Sequence, residues 1–457
     1  MDDQHKKRGD APLLWVAGQW RLLAPTESTT TAGGREAPLP SARCNQCSVY
    51  VPSADRLYVF GGNEGVWEFL PLNDLWAFDL ASARWAQLAP ENTDLPGLLP
   101  TKRFRHACVY DEATHSILVF GGMTQDDPIN AATVLNDLWK YDIAANSWNE
   151  IKPEGQVPPP RYYHVAALQP QKQKEGEGNV MVVFGGIDEA KRLNDLWKYD
   201  IATNKWQLAK PSGSRFTPPP LSNPAARATD DGEYLYTFGG QRWWGYQGII
   251  NSVFKCHLPT NTWSEVSTKG TPPDPMIGAS AVILHGGQSV LVFGGYDVDG
   301  FYVNDLHLLN LATSTWLEVK VEGQSVPGKR YAHSAMLKLA SADQSMLVFG
   351  GYSDFVGNAH NYNDLWQLSI ATSLAVGWAV SVGMGSSLGR GGRTLPTKRG
   401  SQAPQAVKLA RATVRVRPWL APEGCSGSSS PSSSQKHTGQ MSQPPRAGSV
   451  RGTPPPS

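Results

Sequence analysis

The chain has 457 residues with 41 Lys+Arg against 40 Asp+Glu, a near-neutral balance that argues against nucleic-acid or membrane-surface binding by the molecule as a whole. The average hides two unlike parts, because residues 1–378 carry 30 basic and 39 acidic residues whereas 379–457 carry 11 basic residues and one acid, Glu423. Five cysteines (Cys44, Cys47, Cys108, Cys256, Cys425) are odd in number and mostly far apart, which fits a reducing compartment better than a disulfide framework; the lone Cys44-x-x-Cys47 has no second pair to complete a zinc site.

The N-terminus places basic residues before an apolar stretch of only about eight residues with no convincing cleavage site, so no secretion signal is expected. The apolar run nearest to a membrane span, at 374–384, falls short of the ~18–20 residues required. A soluble cytoplasmic protein is expected, with the nucleus as the alternative location. The tripeptide Arg8-Gly9-Asp10 spells an adhesion motif and is read as chance unless the protein is secreted, and residues 1–14 are read as a flexible terminus.

A period then dominates the chain. Apolar, β-branched runs close in a glycine doublet at Gly62, Gly122, Gly186, Gly240, Gly295 and Gly351, the first glycines lying 60, 64, 54, 55 and 56 residues apart. Nine to fifteen positions past each first glycine comes Asn73-Asp74, Asn136-Asp137, Asn194-Asp195, Asn251-Ser252, Asn304-Asp305 or Asn363-Asp364. Eleven residues beyond the second member stand Trp85, Trp148, Trp206, Trp263 and Trp316. In the third copy LWKYD reads as a strand and Asp200–Asn204 as its turn, where Asp200 bonds its own backbone two residues on and Asn204 adopts a left-handed conformation. One more apolar stretch precedes each doublet, so each unit is four short antiparallel strands, A to D, apolar on both faces. Such a sheet is covered only by its neighbours, and radial repetition of six copies predicts an all-β, six-bladed β-propeller. Each tryptophan is expected to fill the space between adjacent blades.

The doublet, the Tyr/Phe-Asp after strand C and the spaced tryptophan resemble the kelch repeat over roughly residues 15–375. The resemblance implies the propeller fold and leaves function open, since such propellers include scaffolds, ubiquitin-ligase recognition subunits and a few enzymes. The sixth unit departs from the pattern: eleven past Asp364 stands Ala375 rather than tryptophan. WVAGQWRLLAP at 15–25, with Trp20, Leu22 and Leu23, looks like the missing strand D. Residues 18–24 are therefore expected to complete blade six and close the ring of a domain spanning 15–378, in preference to a strand built around Trp378. The remainder, 379–457, is Ser-, Gly- and Pro-rich and is expected to be a disordered basic tail, read first as solvated chain unrelated to the propeller's function; its stretch 408–419 would alternatively suit an acidic partner, nucleic acid or the propeller itself.

Antiparallel order puts the B-to-C loops and the D-to-A linkers on one face. The B-to-C loops hold Trp67, Glu68 and Phe69 in blade one, Asp126 and Asp127 in blade two, and Asp188 and Glu189 in blade three. Blade four offers Arg242, Trp243, Trp244 and Tyr246, blade five Asp297, Asp299, Phe301 and Tyr302, and blade six Asp354, Phe355 and His360. Exposed aromatics and arginine are hot-spot residue types, so these loops are the binding candidates, with 241–248 foremost. The structural alternative is that one tryptophan packs onto its own blade. A second set, Arg43, Arg103, Arg161 and Arg330, opens strand A; His106, His164 and His333 follow the last three by three residues. Leu221 and Met276 stand at the arginine position of blades four and five, with Pro224 and Ala279 at the histidine position. An arginine ring at a channel mouth would suit a carboxylate, while recurrence between blades argues for pairing with a neighbouring blade's carboxylate or carbonyls.

The expected function is a non-catalytic, monomeric interaction scaffold without cofactor, presenting its loops to a peptide or protein partner. No nucleic-acid role is expected of the propeller. The resemblance also implies the alternatives of a metal-dependent enzyme or ligand-specifier and of a ubiquitin-ligase recognition subunit. The Glu-x-x-x-Asp-x-x-x-His run of iron-dependent specifiers, a phosphate loop, HExxH and a nucleophile elbow are absent, and no BTB, F-box or RING-like segment is visible.

Overall fold

The computed structural model describes residues 13–16, 19–24, 38–66, 68–89, 99–125, 132–171, 178–210, 216–284, 286–321, 325–339, 344–355 and 358–370. The expected tail at 379–457, Trp378, Trp67, Asp126, Asp127 and most of the expected flexible terminus lie outside them.

Each apolar run that ends in a glycine doublet becomes strand B, flanked by partners on both edges as β-branched residues favour. Blade one consists of Cys47–Val51, Arg56–Asn63, Pro71–Asp79 and Arg84–Leu88. Blade two is Ala107–Asp111, Ser116–Thr124, Thr133–Asp142 and Ser147–Ile151. Blade three is Val165–Gln169, Val180–Phe184, Leu196–Asp200 and Lys205–Leu208; blade four is Ala225–Ala228, Tyr234–Phe238, Val253–His257 and Thr262–Val266. Blade five is Ser280–Ile283, Ser289–Asp297, Tyr302–Asn310 and Thr315–Val321. Blade six takes Ser334–Leu339, Gln344–Phe349 and Leu365–Ile370 from its own repeat.

Its fourth strand is Trp20–Ala24, antiparallel to Leu365–Ile370 with Trp20 opposite Leu368, so the ring closes as the sequence predicts. Further short elements flank the blades. Leu13–Val16 runs parallel to Thr315–Val321 on the outer edge of blade five, so the segment expected to be flexible to residue 14 ends inside a strand.

The blades adhere through one repeated contact. Trp148 leans on Phe60, Trp206 on Phe120, Trp263 on Phe184, Trp316 on Phe238 and Trp85 on Phe349, each phenylalanine preceding the doublet of the previous blade, with centroids 4.5–6.1 Å apart. Trp20 on Phe293, at 5.2 Å, supplies the sixth pair that the eleven-residue spacing lacks. All six tryptophans are buried, and truncating one removes on the order of 3–5 kcal/mol.

The doublet is needed because both glycines are left-handed and crowded: at Gly61 (φ 60°) a Cβ would stand 2.8 Å from the Arg103 carbonyl oxygen of the next blade. Just before strand C, each asparagine clamps the linker to the next blade. Asn73, Asn136, Asn194, Asn251, Asn304 and Asn363 donate from Nδ2 to the carbonyls of Pro100, Pro158, Pro218, Pro273, Pro327 and Pro40 at 2.9–3.3 Å. In the third hairpin Asn204 is left-handed as expected (φ 56°), but Asp200 accepts from the Thr203 N–H, three residues on rather than two.

Cys47 and Cys108 form a disulfide between the strands A of blades one and two, Cα–Cα 5.8 Å. This corrects the reading of the cysteines as unbridged: spacing along the chain hid a pair that radial packing makes adjacent. Cys44 and Cys256 are free and buried, and burial pushes their thiols up to about 11 and about 12.

Candidate functional site

Arg43, Arg103, Arg161 and Arg330 each stand four residues before a strand A. Arg103 donates from Nη1 and Nη2 to both carboxylate oxygens of Asp137 at 2.7 Å, and from Nη1 to the Gly121 carbonyl at 3.1 Å. Arg43 with Asp74, Arg161 with Asp195 and Arg330 with Asp364 repeat this bidentate fork, and all four guanidinium groups are fully buried. Each carboxylate also accepts from the indole Nε1 two residues on, from Trp76, Trp139, Trp197 and Trp366, at 2.6–2.7 Å. Burial alone would raise the carboxyls of Asp74, Asp137 and Asp195, but the hydrogen bonds and charge of the arginines outweigh it and hold them below the ordinary carboxylate value. The partner is thus the blade's own carboxylate, not a neighbour's. With no exposed surface, these arginines offer nothing to a ligand at the mouth, which corrects their reading as binding candidates.

The histidines that follow are buried beside them. Burial, then the neighbouring guanidinium, pulls His164 and His333 down to about 3 and His106 well below its ordinary value. These rings stack edge-on against Phe60, Phe120 and Phe293 of the preceding blade, as structural residues do.

Above this layer a ring of backbone hydrogen bonds defines the mouth of the channel. Asn45, Arg105, Tyr163, Asn223, Gly278 and Ala332 are all left-handed, with φ of 54–60°. Each donates its N–H to the carbonyl of its predecessor, and Asn45 donates to Ala332, at 2.9–3.2 Å throughout. Holding five non-glycine residues there costs on the order of 1 kcal/mol or more each, and the closed ring is what enforces it. A cavity of about 110 Å³ lies beneath it. Tyr331 reaches across: its hydroxyl is 2.7 Å from that of Tyr163 and accepts from Asn223 Nδ2 at 3.1 Å. Its ring occupies the space over Gly278, where a Cβ would come within 2.3 Å.

Around the mouth the loops carry a belt of aromatic rings. Trp243, Trp244, Tyr246 and Phe301 are 49%, 72%, 54% and 62% exposed. Arg192, from blade three, lies 4.2 Å from the Trp244 ring centroid, and Arg242 lies 4.9 Å from that of Trp243. The Tyr246 hydroxyl meets that of Tyr296 at 2.8 Å. Half-buried Tyr302 packs between Tyr296 and Tyr352, at 4.9 and 5.5 Å, and is part of the wall. Phe69, 43% exposed, stacks on Phe104 at 5.0 Å on the far side of the mouth. Phe355 falls in the strand Tyr352–Phe355 of a small hairpin with Asn358–Asn361, and its side chain is outside the described set. Asp188 caps its own loop by accepting from the Ala190 and Lys191 N–H groups.

Sequence reasoning missed Arg105, Tyr163, Arg192 and Tyr331. The first two sit at one fixed step of the repeat, two past the arginine position, where the copies read Asn, Arg, Tyr, Asn, Gly and Ala. Disagreement inside an otherwise constant frame was the available signal.

Among the described residues no group of three or more His, Cys, Asp or Glu is placed to hold a metal ion, and no helix is long and apolar enough to cross a membrane. The arrangement is an aromatic, arginine-bearing rim around a narrow mouth.

Fold and rim together define a six-bladed β-propeller with a loop-built face. Among known proteins, the Attractin/LZTR1 β-propeller profile matches residues 132–354. The Leucine-zipper-like transcriptional regulator 1 homolog of Drosophila melanogaster is 33% identical over 311 residues, covering 66% of this chain and 28% of its own. The human Leucine-zipper-like transcriptional regulator 1 is 29% identical, covering 68% of this chain and 34% of its own. Acyl-CoA-binding domain-containing protein 5 of Arabidopsis thaliana is 31% identical, with 50% and 33% covered. The chain spans about a third of the length of these relatives.

Proposed function

We propose that this propeller is built from kelch-type repeats and serves as a non-catalytic recognition module, binding a protein or peptide partner through its B-to-C and D-to-A loop face. The observation that carries this is the exposure of Trp243, Trp244, Tyr246 and Phe301 on neighbouring loops of blades four and five, a cluster that nothing within the described chain covers. Arginines stacked on both tryptophans add the polar reach typical of interface anchors. The relatives carry the matched region within chains about three times as long, which supports a module that selects a partner on behalf of a larger assembly, a substrate-adaptor role among them. The module acts as a monomer; the Cys47–Cys108 bond favours an oxidising compartment over the cytoplasm expected from the cysteine spacing, and non-reducing mass spectrometry of protein drawn from cells tests this, because a reduced pair there would restore the cytoplasmic location.

Affinity capture with wild type and with a Trp243→Ala/Trp244→Ala double variant tests the surface. Partners recovered by wild type should be lost or strongly depleted with the variant, whose exposed positions leave stability within about 0.5 kcal/mol. Equal recovery would remove the blade-four loop as the anchor.

A further inference from the structure

We propose that the channel mouth is a carboxylate-binding subsite, with Arg105 as its cation and the Tyr163–Tyr331 hydroxyl pair as its hydrogen-bonding wall. The partner fills it with an Asp or Glu side chain or its terminal carboxylate. This deepens, and rests on, the reading of the loop face as a protein-binding surface.

Arg105 differs from the four arginines around it. Each of those is locked in a bidentate fork with an aspartate, whereas no described carboxylate lies within ion-pair distance of Arg105. Its electrostatic neighbours are Tyr163, Tyr331, Tyr162 and Cys44. The guanidinium is clasped by aromatic rings, with centroids of Tyr163, Phe104, Phe69 and Tyr162 at 4.4, 5.0, 5.2 and 5.8 Å. Rings satisfy the faces of a guanidinium and leave its edge, which carries five N–H donors, unanswered. One terminal nitrogen points at Met123 Sδ, a weak acceptor, at 3.3 Å, and Nε is buried with no acceptor at all. A cation so placed costs free energy unless something with negative charge completes it.

The wall has the same surplus of donors. Two phenols sharing one hydrogen bond at 2.7 Å use one of their two protons, and Asn223 donates a further N–H to Tyr331. The second phenolic proton has no acceptor among the described contacts. Arg105 and Tyr163 also hold strained left-handed backbone that the ring enforces, which fixes the guanidinium at the mouth before any ligand arrives. A single cation matches a single negative charge, and the cavity of about 110 Å³, which Arg105, Tyr163 and Asn223 line and Tyr331 adjoins through its hydrogen bonds to the last two, fits a carboxylate. A phosphate dianion would need a second cation, which the lining lacks, and would meet the field of a body with 30 basic and 39 acidic residues in 1–378.

The test selects a displayed library of random dodecapeptides on the full chain, then titrates the enriched peptides against wild type, Arg105→Gln, Arg105→Lys and Trp243→Ala/Trp244→Ala. The expected result is an acidic residue or free C-terminus at one fixed place in the enriched set. Affinity should fall at least about tenfold when that acid becomes its amide or when Arg105 becomes Gln, with partial recovery in Arg105→Lys and weakening by salt. Enriched peptides with no acidic preference, or an acidic preference that Arg105→Gln leaves intact, overturn the proposal. So does inorganic phosphate displacing the peptides at comparable concentration. Dependence on Trp243 and Trp244 without dependence on Arg105 sinks the subsite and spares the surface; dependence on neither sinks both. Should Arg105→Gln fail to melt cooperatively, Tyr163→Phe takes its place: it removes a hydroxyl that lines the cavity and keeps the ring, and unchanged affinity for the acidic peptides overturns the proposal.

Discussion

Blades three and four solve one junction in two ways. In blade three Arg161 is threaded between the Gly185 carbonyl and Asp195. In blade four Leu221 stands at the arginine position, fully buried, its side chain 3.0 Å from where a Cβ of Gly240 would lie, and Ser252 replaces the aspartate. The two losses go together, since a buried carboxylate without its guanidinium would be far costlier than either arrangement. Blade five is a halfway case, with Met276 buried at the arginine position and Asp305 kept but exposed. Ion pair and apolar plug are therefore interchangeable ways of filling the same space. The most exposed loop aromatics, Trp243, Trp244, Tyr246 and Phe301, all belong to the two blades that have given up the ion pair.

The sharpest way to break this comparison is to strand one partner. Arg161→Ala should destabilise by about 3–5 kcal/mol, because Asp195 keeps its charge in a mostly buried site without compensation. It is read as a lower urea midpoint at unchanged slope. Arg161→Leu with Asp195→Ser copies blade four into blade three and should come back to within about 1.5 kcal/mol of wild type. A double variant no better than the single one would show that the two junctions are not equivalent. On the apolar side, Leu221→Ala opens a cavity under the blade-four loop and should cost about 2–5 kcal/mol, a loss that salt does not alter.

Acid separates the two kinds of blade more gently. His106, His164 and His333 are held well below their unfolded value near 6.5, His164 and His333 at about 3. The unfolded chain therefore takes up protons first, and stability is lost as pH falls from about 6.5 toward 3. Asp74, Asp137 and Asp195, also held low, add a second loss in the same direction below about 4. None of these groups is in blade four or five. Hydrogen exchange between pH 7 and 4.5 should show protection falling first in blades two, three and six, and His164→Gln should flatten the pH dependence of the melting temperature. Uniform loss around the ring would contradict this.

How much of this was legible in the sequence follows from where each signal lives. The doublets and the Asn-Asp-to-Trp spacing recur because every blade needs them, and repetition is visible in one chain. The closure was legible too, since Trp20 answers the tryptophan missing after Asp364. The Cys47–Cys108 bond and the strand Leu13–Val16 were not, because both depend on which blades end up side by side. The arginines were seen but misplaced: their pattern recurs, and only the structure shows Asp137 or Asp195 already holding them. Arg105 went unread for the opposite reason, since nothing repeats it.

The smallest expected effect discriminates best between motif and environment. Asp195 and Asp305 occupy the same step of the same Asn-Asp-Leu motif. Asp195→Asn removes a carboxylate from a buried fork with Arg161 and should cost several kcal/mol, because the guanidinium is left without its counter-charge. Asp305→Asn changes an exposed side chain whose blade has Met276 where the arginine would stand, and should stay within about 0.5 kcal/mol. Paired denaturation curves for the two variants decide the matter. A loss above about 1 kcal/mol at Asp305 would mean that the motif carries stability through its own strand, independently of the fork, and the interchangeability of ion pair and apolar plug would have to be abandoned for blade five.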